Sequence, residues 1–191
     1  LDTVAQDPKI CPQLEIAAQS GNDAILKKMR RGYTGERFRA LMARVRLHIP
    51  DAAIHTDIIV GFPGETVEQF QDSERLLRDL EFDKVHIAKY SVRPGTPAAA
   101  LPDDVPPEEK ERRRLLLEEI QADIQAKKNK ILEGRVQEVL VEGRDKNRWQ
   151  GRTRHNKLVF FEGDATGLGQ LAQVHIDWAG PFSLIGRTVA K

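Results

Sequence analysis

The stretch Thr56-Asp57-Ile58-Ile59-Val60-Gly61-Phe62-Pro63-Gly64-Glu65-Thr66 constrains this chain more than any other. Ile58, Ile59 and Val60 form a short β-branched apolar run, the signature of a strand covered on both faces. Gly61, Pro63 and Gly64 then break the chain, and glycines there let a backbone approach a ligand. Thr66 and Gln69 fit a capping box, which predicts a helix from about Val67. A strand, a glycine-bearing loop and a helix in that order describe one step of a parallel α/β fold, in which ligands gather at the carboxyl ends of strands.

The same step recurs on either side. Leu14-Glu15-Ile16-Ala17-Ala18 reads as a strand that ends at Gln19-Ser20-Gly21. A short helix over 22–31 should follow, with Ile25, Leu26 and Met29 at helical spacing and Gly32 as its left-handed stop. Thr34 can cap a second helix carrying Phe38, Leu41, Met42 and Val45, which ends before Pro50. The helix after Thr66 turns Phe70, Leu76, Leu77 and Leu80 toward a core. Val85-His86-Ile87-Ala88-Lys89-Tyr90 is a third strand, ending at Ser91-Val92-Arg93-Pro94-Gly95-Thr96. Helical connections imply parallel strands and right-handed crossovers, so all three loops emerge at one edge of the sheet. Gln19, Ser20, Asp57, Glu65, Tyr90, Ser91, Arg93 and Thr96 are then expected around one cleft.

Three parallel strands cannot close a barrel and leave two open edges. With Leu1 as first residue and 2–9 reading as the tail of a helix and its exit loop, residues 1–107 look like the C-terminal half of a partial parallel (β/α) barrel, preceded by a missing N-terminal part of the same polypeptide. Prolines in Leu101-Pro102-Asp103-Asp104-Val105-Pro106-Pro107 mark a boundary, and Pro107 suits the first position of a helix. That connecting helix, over 108–132, has an apolar stripe of Leu116, Ile120, Ile124 and Ile131.

After Gly134 the texture changes. Val136-Gln137-Glu138-Val139-Leu140-Val141-Glu142, Leu158-Val159-Phe160-Phe161 and Gln173-Val174-His175-Ile176-Asp177-Trp178 read as short strands. Residues 133–191 are therefore expected to form a small antiparallel β-barrel. This module carries Arg144, Lys146, Arg148, Arg152, Arg154 and Lys157, opposed locally only by Asp145, with Trp149 and His155 among them. Positive charge with interleaved aromatics suits an RNA backbone and unstacked bases. The same charges would also suit a solvated hairpin rim.

Composition adds limits. A formal net charge of +1 in 191 residues provides no global field for a polyanion. The single cysteine, Cys11, excludes an internal disulfide framework, fits a cytoplasmic location, and reads as a buried structural thiol. No apolar run is long enough to span a membrane. The five histidines (His48, His55, His86, His155 and His175) lack metal-ligand spacing, so no metal site is expected within the chain.

Several separated motifs together resemble the radical-SAM methylthiotransferases: Gln19-Ser20-Gly21, Arg30-Arg31-Gly32-Tyr33-Thr34, Thr56-Asp57 with Gly61-Phe62-Pro63-Gly64-Glu65-Thr66, and Tyr90-Ser91-Val92-Arg93-Pro94-Gly95-Thr96-Pro97-Ala98. The tail, with Gly151-Arg152-Thr153 and Asn156-Lys157, resembles the family's TRAM domain, an RNA-binding β-barrel. One departure is Ala17-Ala18, where family members often have a proline before Gln-Ser-Gly.

The resemblance implies S-adenosyl-L-methionine as cofactor and two 4Fe–4S clusters in the parent protein, on cysteines this chain does not contain. It also implies no activity for this chain alone. In the parent, one S-adenosylmethionine would donate a methyl group to cluster-associated sulfur. A second, cleaved reductively, would generate the radical that removes hydrogen from C2 of an adenine. The resemblance places Gln19, Ser20, Asp57, Ile59 and Gly61 at the cofactor, with Arg30 or Arg31 against its carboxylate. Tyr90, Ser91, Arg93 and Thr96 form a loop on the substrate side. Expected partners are a tRNA anticodon stem-loop and an electron donor such as flavodoxin. Within the family, Arg31-Gly32-Tyr33-Thr34 and Arg93-Pro94-Gly95-Thr96 look most like the tRNA enzymes acting on N6-isopentenyladenosine. Alternatives are the enzymes acting on threonylcarbamoyladenosine or on a ribosomal-protein aspartate, and, in another class, a non-catalytic RNA-binding module.

Overall fold

A computed structural model describes residues 1–163 and 167–189. The elements run α1 (Asp2–Gln6), β1 (Gln13–Glu15), α2 (Asp23–Lys28), α3 (Gly35–His48), β2 (Ala53–Val60), α4 (Val67–Leu80), β3 (Lys84–Lys89), a 3-10 turn (Pro97–Ala100), α5 (Pro107–Lys130), β4 (Val136–Asp145), β5 (Arg148–Thr153), β6 (Leu158–Glu162), β7 (Leu171–Ala179) and β8 (Leu184–Thr188). They fall into two compact units. One comprises Leu14–Pro50 and Ile54–Gln121, the other Leu1–Gln13, Asp51–Ala53 and Ala122–Lys191.

The first unit is the expected parallel α/β layer. Its sheet has the order β1-β2-β3, and β2 pairs with β3 in parallel from His55–Lys84 to Val60–Lys89. β1 is shorter than its apolar run suggests, because the chain leaves the ladder after Glu15 and returns at Gln19. There a single parallel bridge joins Gln19 to Ile58: the Gln19 N–H donates to the Asp57 carbonyl, and the Ile59 N–H donates to the Gln19 carbonyl. Helices cover the face bearing Ile58 and Val60, both fully buried with Ile25, Leu26, Phe70 and Leu77. Asp57 and Ile59 lie on the other face and are only half-buried.

Local chemistry explains the helix ends. Asn22 caps α2 through its side-chain oxygen, Thr34 caps α3, and Thr66 with Gln69 completes the reciprocal capping box of α4. The stop of α2 differs from expectation. Arg30, not Gly32, takes the left-handed conformation, with φ 59°. The Arg31 N–H then reaches back to the Leu26 carbonyl and the Arg30 N–H to that of Lys27, which is the Schellman arrangement.

Gly21 has no room for a side chain. A Cβ there would lie 2.3 Å from the backbone oxygen of Asp72, and the Gly21 N–H donates to Ser73 Oγ. Because the obstacle is backbone, Gly21→Ala should destabilise this unit by about 1–3 kcal/mol. A lowered thermal midpoint followed by far-UV circular dichroism would show it, and an unchanged midpoint would refute this reading of the contact.

In α5 the buried stripe is Leu117, Ile120 and Ile124, interleaved with buried Lys110, Arg113, Gln121 and Asn129. Leu116 is half-buried and Ile131 is exposed, so the expected stripe is rotated. Polar side chains hold the helix: Gln121 donates to the Phe82 carbonyl, and Asn129 donates to the Gly180 and Pro181 carbonyls.

The second unit contains a closed barrel of order β4-β5-β6-β8-β7. Every neighbouring pair is antiparallel except β6 and β8, which run parallel, so the barrel is mixed rather than purely antiparallel. β5 and β8 were not expected as strands. Val139, Val141, Val159, Phe161, Val174, Ile176 and Leu184 fill its interior, and Trp149 packs against them. Cys11 is exposed, not buried, because residues 7–12 run as an irregular surface segment before β1.

Candidate functional site

The carboxyl ends of β2 and β3, with the turn after α2, surround a cavity of about 530 Å³. Gln19, Arg30, Arg31 and Ile59 line it, and so do Tyr90, Ser91, Arg93 and Thr96. Eight residues singled out from four separate sequence stretches thus meet in one place. Parallel pairing is the cause, since it delivers the ends of successive strands to one edge. Sequence reasoning gave no site role to Lys28, Met29, Phe62 and Lys89, which share the wall with Ala88, Pro97 and Ala98. Of the four, Phe62 lay in the glycine-bearing loop and Lys89 in the third strand.

Four other candidates do not line the cavity: Ser20, Asp57, Gly61 and Glu65. Ser20 is buried and accepts a hydrogen bond from the Asn22 N–H, so it builds the turn. Asp57 sits two residues before Ile59 on the half-buried face of β2, in register with His86. Gly61 adopts φ +70°, but the space its missing Cβ leaves is filled by the Lys110 stem at 2.3 Å. Its N–H donates to Glu65 Oε2 at 2.7 Å. The close approach that glycine permits here is made by the protein itself.

The loop after β2 is anchored by charge. Arg113 donates to Glu65 Oε2 at 2.8 Å and to the Glu65 carbonyl at 3.0 Å, and its Nε donates to Glu109 at 2.7 Å. Its guanidinium also stands 5.3 Å from the centre of the Phe70 ring. Burial pushes the Glu65 carboxyl above its ordinary value, against the opposing hydrogen bonds from Gly61 and Arg113. Lys110 donates to Asp103 at 2.5 Å and lies 5.3 Å from the Tyr90 ring centre. Asp104 accepts from the Gly64 N–H at 2.7 Å. Tyr90 in turn meets Phe62 edge to face at 5.1 Å. The cavity therefore has a fixed aromatic wall, held by groups that do not themselves face it.

Between α2 and α3, the Tyr33 hydroxyl donates to the Ala17 and Ala18 carbonyls. Burial raises its pKa, partly offset by the Arg31 charge.

The basic cluster of the barrel is not one free surface. Arg148 pairs with Glu162 at 3.0 Å, Arg152 with Glu142 at 3.4 Å, and Arg154 with Glu138 at 3.8 Å. Arg154 also donates to the carbonyls of Pro8 and Ile10. Three glutamates from β4 and β6 thus oppose the cluster, where the sequence showed only Asp145. Arg144 differs: its guanidinium lies 4.6 Å from the Trp149 ring centre, near the hairpin turn that holds Lys146 at φ 55°. Lys157 lies just before β6, where its N–H donates to Thr153 Oγ1.

Among the described residues no cluster of histidine, cysteine or carboxylate side chains could hold a metal ion. No helix there is long and apolar enough to cross a membrane.

A family model described as the Radical SAM superfamily matches residues 6–77, and one described as the TRAM domain matches residues 130–189. The chain is 50% identical over 187 residues to the tRNA-2-methylthio-N(6)-dimethylallyladenosine synthase of Roseiflexus sp. (strain RS-1), covering 96% of this chain and 39% of that protein. It is 47% identical over 190 residues to the synthase of that name from Dehalococcoides mccartyi, covering 99% of this chain and 46% of the relative. For the Clostridium botulinum synthase the values are 43% over 192 residues, with 99% and 43% covered. The chain spans less than half the length of these relatives.

The radical SAM superfamily in general uses S-adenosylmethionine and iron–sulfur clusters. The cavity suits the former: among the described residues the Gln19 carboxamide has no hydrogen-bond partner, and Ser91 adds a hydroxyl, while that of Thr96 already donates to the Arg93 carbonyl. The chain does not suit the latter, since one cysteine cannot ligate a cluster that needs several thiolates. By these matches the chain spans a Radical SAM segment and a TRAM domain, and over nearly its whole length it is similar to part of the synthases just named.

Proposed function

We propose that this chain is part of a tRNA methylthiotransferase that adds a methylthio group to C2 of N6-isopentenyladenosine next to the anticodon. The observation that supports the reading is the cavity at the ends of β2 and β3, lined by Gln19, Ile59, Tyr90 and Ser91, to which the family resemblance gives cofactor and substrate roles. The relatives' shared name supplies the reaction class and nucleoside.

S-adenosylmethionine, with 4Fe–4S clusters held by residues outside this chain, supplies the radical and methyl-transfer chemistry. The residues here bind, orient and shield. Gln19 offers donor and acceptor atoms to a nucleoside. Ile59 and the neighbouring β2 backbone give an apolar edge, and Asp57 lies beside it on the same strand face. Tyr90, braced edge to face by the buried Phe62, offers an aromatic surface on which an extruded base can rest. The Glu65–Arg113 pair keeps that surface in place from behind.

In the barrel, RNA contact centres on Arg144, Lys146 and Trp149. Arg144 and Trp149 already stack, and a cation over an aromatic face suits an unstacked base. Arg148, Arg152 and Arg154 are matched by glutamates and contribute less net field.

The decisive experiment is mass spectrometry of tRNA nucleosides from cells with and without the gene. The expected result is loss of the 2-methylthio nucleoside with accumulation of isopentenyladenosine. An unchanged isopentenyladenosine profile would overturn the assignment, and a change in threonylcarbamoyladenosine derivatives would replace it with the related tRNA activity.

A further inference from the structure

We propose that Arg30, Arg31 and Arg93, at the mouth of the cavity, receive the phosphate backbone of a single-stranded RNA loop. This rests on the tRNA reading above and goes beyond it, because it assigns the grip on RNA to the α/β unit as well as to the barrel.

The lining of the cavity includes five cationic residues, Lys28, Arg30, Arg31, Lys89 and Arg93, and no carboxylate. Two of the five are engaged: Lys28 reaches the Gly64 carbonyl at 3.5 Å, and Lys89 pairs with Glu111 at 2.7 Å. The three arginines are exposed. No ion pair or side-chain hydrogen bond is recorded for them among the described residues, though the Arg31 charge is felt by Tyr33. Like charges gathered at a concave mouth focus a field that attracts a polyanion.

Arg30 occupies the left-handed region at φ 59°, a position glycine would fill without strain. A long cationic side chain there is carried outward by the turn that closes α2.

A single carboxylate, such as that of an amino-acid cofactor, is satisfied by one guanidinium. Three arginines on two separate loops, one after α2 and one after β3, match a series of phosphates instead. Behind them stands the half-buried Tyr90, braced edge to face by the buried Phe62 ring 5.1 Å away, where a splayed base can stack while its flanking phosphates meet the rim.

The test is fluorescence anisotropy with an isopentenyladenosine-bearing anticodon stem-loop RNA and the complete gene product, over a salt series. The triple variant R30A/R31A/R93A should bind at least about tenfold more weakly at low salt. Its dependence of log affinity on log salt should flatten by about 2, since each single-strand phosphate contact contributes roughly 0.7. The triple Arg→Lys variant should keep most of the slope, which separates charge from misfolding. Wild-type affinity and slope in the alanine variant would overturn the proposal. So would unchanged RNA affinity with lost binding of S-adenosylmethionine in equilibrium dialysis, which would give the arginines to the cofactor. Should the wild-type protein show no salt-dependent binding of the stem-loop, the tRNA reading itself falls. Should it bind while the rim variant matches it, only the rim assignment falls.

Discussion

Replacing Arg113 with methionine should lower the stability of the α/β unit by about 3–5 kcal/mol, the range found when one partner of a buried ion pair is removed. The arginine and Glu65 side chains are 4% and 0% exposed, so the carboxylate left behind cannot recover its interactions from water. Glu65 Oε1 has no hydrogen-bond partner among the described residues even with Arg113 present, and Oε2 would keep only the Gly61 N–H.

The pH dependence follows from the direction of the Glu65 shift. Burial already holds its carboxyl above the ordinary value, and loss of Arg113 removes two influences that lower it. A carboxyl whose folded value exceeds its unfolded value binds protons preferentially in the folded state. Stability is therefore gained as pH falls through the folded value toward the ordinary one, and lost as pH rises through it. The R113M defect should be greatest at neutral pH and shrink on mild acidification. The double variant E65Q/R113M should recover part of the loss at neutral pH, because it leaves no buried charge. Urea unfolding followed by far-UV circular dichroism at neutral and mildly acidic pH measures both effects. A defect that stays constant with pH would show that Arg113 acts through packing on Phe70 rather than through Glu65.

This pair also shows what the sequence made legible and what it hid. The loop from Gly61 to Thr66 announced itself through glycine, proline and a capping box, which are local signals read over a few residues. The convergence of Gln19, Ile59 and Tyr90 on one cavity followed from parallel topology, which the order of strands and helices dictates. The anchoring of that loop was not legible. Arg113 lies 48 residues from Glu65 and sits in a run of charges, Glu108 to Arg114, that reads as a solvated helix face. Burial of Lys110, Arg113, Gln121 and Asn129 in place of apolar residues is why the stripe of α5 came out rotated. The barrel failed for a related reason. β5 reads Arg-Trp-Gln-Gly-Arg-Thr, whose outward arginines and central glycine mask a strand, and β8 is five residues long with Gly186 inside it. The glutamates that match Arg148, Arg152 and Arg154 come from other strands, and cross-strand pairing has no footprint in local composition.

Truncating Phe161 to alanine should have a comparable effect on the barrel, about 3–5 kcal/mol. Phe161 is fully buried in the core formed by Val139, Val141, Val159, Val174, Ile176 and Leu184. A small closed barrel has few such layers, and its interior cannot collapse around the void without breaking strand pairing. The side chain stands in register with Trp149 on β5 and with Gly186 on β8, so the cavity would open beneath the hairpin that carries Arg144. Both tryptophans of the chain, Trp149 and Trp178, belong to barrel strands. Tryptophan fluorescence thus reports on the barrel, while the helical circular-dichroism signal comes mostly from α3, α4 and α5. The F161A fluorescence midpoint in urea should fall sharply, and salt-dependent RNA affinity should fall with it as Arg144 and Trp149 lose their fixed stacking. An F161A barrel that keeps its midpoint would mean that the interior repacks. One that unfolds early yet binds RNA with wild-type affinity would remove the hairpin from the RNA contact and leave the cavity rim as the source of binding.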